Sequence, residues 1–213
     1  MTVEWIFDTE PVDHSELVRF TERMHAEIRD GSRSGCIRVS EHPHIYTYGL
    51  NTPDRGVFKP SLSIPVYPSG RPGSWTYHGP GQKVVNINMR ITGDYATFRS
   101  KLDSWMINTT HRLGVEGVMR DGERYGVWVP RPDRGDGFED KIISSGVRVT
   151  RDVCYYGFSV NVTTDLSYYD GIKLCSVSDS RYGVTSFRDL GVEVSDEDFA
   201  TALKEEFDAA YGV

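Results

Sequence analysis

Short strand-like segments outnumber helical segments along this chain, and the two kinds do not alternate regularly. Apolar alternation or β-branched and aromatic composition occurs in "VVNINMRI", "YGVWV", "KIISSGVRV" and "CYYGFSVNV", whereas helical spacing dominates only three segments. A doubly wound fold would need a helix between successive parallel strands. The sequence therefore predicts an α+β fold in which a mixed β-sheet is flanked by helices.

The three helical segments carry their own start and stop signals. The first has Asp13 and Glu16 placed as a capping box and ends at Gly31. The second follows Asp94, and the third begins with Ser195 as its N-cap. Each segment has apolar residues every three or four positions, so each helix is predicted to pack one face against the sheet.

Composition limits the classes of function. The chain has 213 residues, a length that one α/β domain spanning 1–213 can accommodate. A net charge of −7 and a pI near 5.4 argue against general binding of nucleic acid, which requires a basic surface. No apolar run approaches the roughly 20 residues that span a bilayer. The acidic start "MTVEWIFDTE" lacks the regions of a signal peptide, so we expect a cytoplasmic protein with no membrane partner.

The cysteines and clustered histidines do not form a metal site by spacing. Three cysteines without a CxxC pair argue against a disulfide framework and against structural zinc. Cys36 and Cys154 lie in strand-like runs, which indicates core positions. His42 and His44 lie in "EHPHIYTYG" without a third ligand at metal-site spacing, so they are interpreted as structural or pocket-lining. We predict no metal.

The segment "WTYHGPGQ" (75–82) places His78 between two aromatic residues and a Gly-Pro-Gly turn, directly before a predicted strand. Glycines let a ligand or another backbone approach closely, although a hydrogen-bonded structural imidazole fits the same pattern. Cys175 in "GIKLCSVSDS" could be a nucleophile or a buried core residue. Lys141, at the start of "KIISSGVRV", could be a catalytic or a solvated lysine.

These segments appear in one order that resembles the octanoyltransferases of lipoate biosynthesis, from about "HPHIYTYG" to "GVTSF". The family pattern Arg-Gly-Gly followed by Thr-x-His-Gly-Pro-Gly-Gln is similar to the run from Arg71 to Gln82. The family's Lys-Ile before a Gly-Val-Arg strand matches Lys141 and Ile142, and its nucleophilic cysteine matches Cys175.

The resemblance implies a fold related to the biotin and lipoate protein ligase catalytic domains. It implies that an octanoyl or related medium-chain acyl group moves from acyl carrier protein, through a thioester on Cys175, to a lysine of a lipoyl domain. Lipoyl domains of 2-oxoacid dehydrogenase complexes or the glycine cleavage H protein would be the acceptors. Lys141 would be the catalytic acid and base. The residues implied to bind substrate are Arg71, Gly73, Thr76, Tyr77, His78, Gly79, Ser144, Ser145, Gly146, Tyr156, Gly157 and Phe158.

An acyl thioester is already activated, so this reaction requires no nucleotide and we expect no cofactor. Five positions depart from the family pattern. Pro72 replaces the second glycine, Tyr156 replaces a common histidine, Ser176 replaces a usual glycine, and Ser144 and Ser145 replace small or apolar residues on the Lys141 strand. Two alternatives therefore stay open, an ATP-dependent lipoate or biotin type ligase and a non-catalytic acyl-binding module.

Basic residues follow each of the motif segments. Because acyl carrier proteins and lipoyl domains resemble each other in being acidic, several of these residues are predicted to surround the opening of the site. The candidates are Lys83, Arg90, Arg148, Arg151, Arg181 and Arg188.

Overall fold

The computed structural model describes residues 2–52, 64–170, 172 and 179–212. Its helices are α1 (His14–Asp30), α2 (Tyr95–Arg112) and α3 (Asp196–Tyr211). None of the helices in these described ranges is long and apolar enough to cross a bilayer. The strands in chain order are β1 (Glu4–Phe7), β2 (Gly35–Ser40), β3 (Ile45–Tyr48), β4 (Val66–Pro68), β5 (Trp75–His78), β6 (Gln82–Arg90), β7 (Val118–Arg120), β8 (Gly126–Pro130), β9 (Glu139–Ser145), β10 (Arg148–Thr150), β11 (Val153–Tyr155), β12 (Gly157–Asn161) and β13 (Tyr182–Val184).

The large sheet follows the order β1-β2-β6-β12-β9-β8-β7, with β11 also pairing with β6 and β13 with β9. β1 runs parallel to β2 and β13 runs parallel to β9, whereas the other pairs in this sheet are antiparallel. A smaller sheet has the order β4-β3-β5. The predicted α+β fold with a mixed sheet is therefore confirmed.

Helices α2 and α3 cover one face of the large sheet and enclose its main apolar core. β6 contributes Val85, Ile87 and Met89, all fully buried. Trp105 of α2 lies against Phe207 of α3, with ring centroids 5.0 Å apart, and its indole N–H donates to a backbone carbonyl of α3 at 2.8 Å. Helix α3 begins at Ser195 with the predicted N-cap and a capping box that includes Asp198.

Helix α1 covers the opposite face of β6, on which the polar residues of the alternating segment "VVNINMRI" lie. Asn86 and Asn88 alternate with the apolar residues of β6, yet they are 3% and 0% exposed because α1 lies over them. The Thr21 hydroxyl of α1 donates to Oδ1 of Asn86 at 3.2 Å, and the Asn88 amide donates to the same oxygen at 2.5 Å. Hydrogen bonding is what permits this polar face to be buried.

The ends of α1 match the prediction except for one contact. Asp13 caps the helix by accepting from the Ser15 backbone N–H, and Gly31 ends it in the left-handed region with φ of +87°. Glu16, predicted to complete a capping box, instead accepts from Arg38 at 3.0 Å. The guanidinium of Arg38 is buried against α1. Ion pairs with Glu16 and with Asp8 compensate its charge.

The small sheet is joined to the rest of the domain by an aromatic cluster. Tyr77 of β5 stacks on Tyr168, with ring centroids 4.9 Å apart and planes 4° apart. Its hydroxyl also lies 2.8 Å from the Nδ1 atom of His44, while Tyr46 donates to the Tyr168 carbonyl. Tyr168 and Tyr169 belong to a 3-10 turn, Leu166–Tyr169, so this cluster fixes β5 relative to that turn.

Candidate active site

A cleft lies between the small sheet, α1 and the strands β6, β9 and β12. Its empty space amounts to about 900 Å³, including the opening to solvent. One helix, five strands and several loops contribute residues to its wall, and most residues predicted from the sequence are among them. The predicted residues that line the cleft are Arg71, Gly73, Thr76, His78, Lys141, Ser144, Ser145, Gly146, Tyr156, Gly157 and Phe158.

Lys141 lies where β9 changes its neighbour. On one edge, β9 pairs with β13 from Glu139 to Lys141 and with β12 from Ile143 to Ser145. The side chain of Lys141 is only 1% exposed, and its Nζ atom donates to the Tyr125 carbonyl at 3.1 Å and lies 4.9 Å from the Trp128 ring centroid. Lysine is almost never buried to this extent unless it is paired or functional.

The loop between β4 and β5 is held by Arg71. Its guanidinium donates to the carbonyl oxygens of Thr47 at 3.2 Å and Ser74 at 2.7 Å. Gly73 adopts a φ of +90°, and its carbonyl lies 2.4 Å from where a Cβ at Gly49 would be, so both positions require glycine. Arg71 therefore lines the cleft as a brace for the loop.

Strand alternation separates the predicted residues of β5. Thr76 and His78 face the cleft, whereas Tyr77 points to the opposite side and is fully buried in the aromatic cluster. Tyr77 was predicted to bind substrate, and the structure instead gives it a packing position because successive side chains of a strand point to opposite faces. Gly79 does not line the cleft either. It leaves room for the Tyr77 hydroxyl, which a Cβ at this position would meet at 1.9 Å.

Three histidines form a row along the wall of the cleft. The ring centroids of His14 and His42 are 5.8 Å apart, and those of His42 and His78 are 5.6 Å apart. Burial lowers the pKa of His42 from its ordinary 6.5 to about 4, and burial also lowers the pKa values of His14 and His78. The row is therefore uncharged at neutral pH. Within the described ranges, no three His, Cys, Asp or Glu side chains form a metal-binding group.

The sequence indicated that His42 is structural or pocket-lining, but it did not indicate His14. His14 is the first residue of α1, and only the packing of that helix on β6 brings it to the cleft. No local signal distinguished it from the many polar residues at helix starts.

Tyr156 occupies the position where the family commonly has histidine, and its backbone is unusual. Its φ is +63°, in the left-handed region that disfavours residues with a Cβ. Its hydroxyl accepts from the Gly70 backbone N–H, and a Cβ on Gly70 would lie 2.5 Å from that oxygen. Gly157 is required next to it because a Cβ there would meet the Val85 carbonyl at 1.9 Å. Tyr156 thus connects β12 to the loop that Arg71 braces.

The predicted nucleophile Cys175 lies outside the described residues. The other two cysteines are buried, as predicted. Burial raises the pKa of the Cys36 thiol to about 11, and burial raises the pKa of the Cys154 thiol to about 12. Neither is therefore a thiolate at neutral pH.

Several cations predicted to surround the opening have internal partners. Lys83 lies between Glu41 at 2.8 Å and Asp196 at 2.6 Å. Arg90 donates to the Ile28 and Arg29 carbonyls and thereby caps the end of α1. Neither is among the residues that line the cleft.

The remaining predicted cations differ among themselves. Arg148 donates to the Gly70 carbonyl at 3.2 Å and so contacts the loop beside the cleft. Arg181 pairs with Asp179 at 2.5 Å. Arg151 lies in the tight turn between β10 and β11, with φ of +51°, and Arg188 is exposed.

Solved structures share this fold across nearly the whole chain. A T. acidophilum protein whose structure contains bound lipoic acid superposes with a TM-score of 0.73 at 16% identity, over 100% of this chain and 87% of its own. Lipoate-protein ligase A bound with ATP superposes with a TM-score of 0.71 at 14% identity, over 98% of this chain and 86% of its own. At these low identities the structural similarity shows the fold alone. The fold is that of a lipoate-protein ligase catalytic domain.

The family follows from sequence. The model of the lipoyl protein ligase A/B catalytic domain matches residues 13–208. A protein from Nitrobacter hamburgensis named octanoyltransferase is 39% identical over 99% of this chain and 87% of its own length. Another from Maricaulis maris is 39% identical over 99% of this chain and 92% of its own length. The chain belongs to the lipoyl protein ligase A/B family, among relatives named octanoyltransferases, and the resemblance drawn from its motifs is confirmed.

Proposed function

We propose that this protein transfers an octanoyl or similar medium-chain acyl group from a carrier-protein thioester to a lysine amine of a lipoyl domain. Cys175 would carry the acyl group between the two half-reactions, and Lys141 would move the protons. The buried position of Lys141 at the wall of a cleft, in a chain 39% identical to named octanoyltransferases, is the observation that carries the proposal.

The cysteines support Cys175 by elimination. Cys36 and Cys154 are buried in the core with raised thiol pKa values, which leaves Cys175 as the remaining thiol of the chain. Val184 follows Cys175 by nine residues in sequence and is the parallel partner of Lys141 on β9. The chain after Cys175 therefore passes beside Lys141. An ammonium near a thiol stabilises the thiolate and makes it a better nucleophile.

The proposed chemistry balances over two steps. The Cys175 thiolate attacks the carbonyl carbon of the donor thioester, the bond from that carbon to the carrier sulfur breaks, and the departing carrier thiolate takes a proton from the Lys141 ammonium. In the second step the acceptor amine attacks the acyl-enzyme, the bond to the Cys175 sulfur breaks, and neutral Lys141 takes the proton that the amine releases. The original charge pair is thereby restored.

The volume and the partly apolar lining of the cleft suit an acyl chain. Leu17, Val18 and Val84 contribute apolar surface, and Phe158 lies on the strand next to Lys141. Each buried methylene of a bound chain would contribute about 0.8 kcal/mol. The proposal places the reaction in the cytoplasm, where thiols are kept reduced.

Intact-mass spectrometry of the protein mixed with octanoyl-acyl carrier protein, without nucleotide, tests the proposal. We expect a mass increase of one octanoyl group that hydroxylamine removes and that a lipoyl domain discharges onto its own lysine. Cys175→Ala should abolish the adduct. Cys36→Ala is the matched control and should retain it, because that thiol is buried and protonated.

The alternatives give other results. An adduct on the Cys175→Ala protein would disprove the nucleophile. Acylation of a lipoyl domain that depends on ATP and free fatty acid would indicate a ligase, and the absence of any adduct and any transfer would indicate a binding module.

A further inference from the structure

We infer that Gln82 is a positioning residue that holds His78 in one neutral tautomer, with Nδ1 protonated and Nε2 left as a hydrogen-bond acceptor at the cleft. The Nδ1 atom of His78 lies 2.6 Å from the Oε1 atom of Gln82. Gln82 is fully buried, and His78 lines the cleft. The tautomer assignment stands on the protein alone, whereas its use in acyl transfer rests on the proposed function.

The direction of the hydrogen bonds follows from a backbone carbonyl. The Thr185 carbonyl can only accept, so the side-chain group of Asn161 that faces it at 3.0 Å must be the amide nitrogen. The Oδ1 atom of Asn161 therefore faces Gln82 as an acceptor, and the amide nitrogen of Gln82 donates to it at 2.9 Å.

The same reasoning continues to the imidazole. The Gln82 amide nitrogen also lies 3.2 Å from the Tyr77 carbonyl and 2.8 Å from the Tyr169 hydroxyl. This leaves only its carbonyl oxygen to face His78. Because that oxygen can only accept, Nδ1 must carry a proton, and in the neutral ring Nε2 then keeps its lone pair.

A neutral His78 with a lone pair on Nε2 can accept a hydrogen bond from an N–H of a molecule bound in the cleft. It cannot do so once it is protonated. Among the described residues, the charged and titratable groups that act most strongly on His78 are His42, Arg71 and His14, from the loop before β3, the β4–β5 loop and α1. Lys141 of β9 lines the same cleft. Burial lowers the pKa of His78 well below its ordinary value, and His42 and Arg71 lower it further, so the wild-type surroundings maintain the neutral acceptor.

The network also reaches both sides of the stretch that contains Cys175. Tyr169 precedes that stretch and donates to Asn161, at 3.2 Å from its Oδ1 atom. Thr185 follows it, and its backbone N–H donates to the Lys141 carbonyl at 3.0 Å. One polar network thus joins His78 to the strand of Lys141.

The first test is the tautomer of His78 in the wild-type protein without substrate. Long-range ¹H–¹⁵N correlation spectra distinguish a protonated from an unprotonated ring nitrogen, and loss of one set of signals in His78→Asn assigns them. We expect Nδ1 to be protonated and Nε2 to be unprotonated at pH 7. The opposite tautomer, or a doubly protonated ring, would overturn the inference without any reference to activity.

The second test is Gln82→Glu, which keeps an acceptor for Nδ1 but adds a negative charge. The carboxylate should raise the pKa of His78 into the range that ¹⁵N titration can follow. Below that pKa the acylation rate should fall about tenfold for each pH unit, because protonation removes the acceptor. The pH–rate profile of the wild-type protein should lack this decrease. A pH profile of the variant identical to that of the wild type would contradict the inference.

Tyr169→Phe is the matched control for the network. It removes one hydroxyl from the Gln82 amide and leaves the contact between Gln82 and His78 in place, so the tautomer should not change.

If Gln82→Glu does not fold, the wild-type spectrum still decides. If the protein forms no acyl-enzyme but Nδ1 is protonated, the proposed function fails and the positioning role stands. If an acyl-enzyme forms but Nε2 of His78 carries the proton, the proposed function stands and the positioning role of Gln82 fails.

Discussion

The two faces of β6 are buried equally and are built from different chemistry. Val85, Ile87 and Met89 lie against α2 and α3, where packing alone holds them. Asn86 and Asn88, on the other face, lie under α1 and are held by hydrogen bonds. The apolar face stabilises the fold through volume and contact area, whereas the polar face borders the cleft, where direction and charge matter more.

Lys141→Met should give the largest effect and separate function from stability. Loss of a proton-transfer group should lower the acylation rate about 10²–10⁴-fold. The free energy of unfolding should stay equal or increase, because an apolar side chain of similar shape avoids the cost of burying an ammonium group. Rapid-quench acylation and urea denaturation measure the two quantities.

Lys204→Met, on the exposed side of α3, is the matched control for that change and should leave the rate unaltered. A Lys141→Met protein that is strongly destabilised would mean that the lysine is mainly structural.

Ile87→Ala, on the apolar face, should lower stability and leave the acylation rate nearly unchanged, which is the opposite of the result expected for Lys141→Met. It truncates a fully buried side chain and leaves a cavity in the core, at a cost of about 2–5 kcal/mol in unfolding free energy. The acylation rate of the folded protein should change little. Chemical denaturation provides the measurement, and a cost below about 1 kcal/mol would show that this core repacks readily.

The histidine row should make stability depend on pH. His42 has an ordinary pKa of 6.5 and a folded-state pKa of about 4, so between these values the unfolded chain binds more protons than the folded one. The free energy of unfolding is then retained in full above pH 6.5 and falls as the pH decreases toward 4, by about 3 kcal/mol for this residue. His14 and His78 shift in the same direction.

Urea denaturation from pH 7 to pH 4.5 measures this dependence. His42→Gln should flatten the curve. An unchanged slope in that variant would assign the effect to other groups.

Thr21→Val should have the smallest effect. It replaces a buried hydroxyl by a methyl group of the same shape, and Oδ1 of Asn86 still accepts from Asn88. The expected cost is at most about 1 kcal/mol in unfolding free energy. A loss above about 2 kcal/mol, measured by denaturation, would show that the polar face contributes to stability as strongly as the apolar face does.

Local signals predicted the three helices and the strands β2, β6, β8, β9, β10, β11 and β12, but not the short strands β1, β3, β4, β5, β7 and β13. Asp94 and Ser195 cap their helices as expected because capping depends on the residues of one turn. The burial of Asn86 and Asn88 was not predictable, since alternation with apolar residues normally indicates a solvent face and only the docking of α1 covers it. The same docking brings His14 to the cleft.

Most residues that the family motifs assigned to the site line one cleft, and their roles stay predictions. Lys141 and His78 reach one cleft from distant parts of the chain, as the resemblance implied. Tyr77 was assigned to the site with its neighbours, although the two-residue period of a strand places it on the other side. Its packing role with Tyr168 depends on a contact across some ninety residues of sequence, which no local pattern encodes.

The shared edge of β9 has a kinetic consequence. β13 contributes three residues, joins β9 by parallel pairing, and does so only after β10, β11 and β12 have intervened in the chain. Pairings between distant segments close late in folding, and short ladders open first in the native state. Amide hydrogens of β13 should therefore exchange with solvent sooner than those of the central β6. The edge of β9 that carries Lys141 would then form later and open sooner than the centre of the sheet.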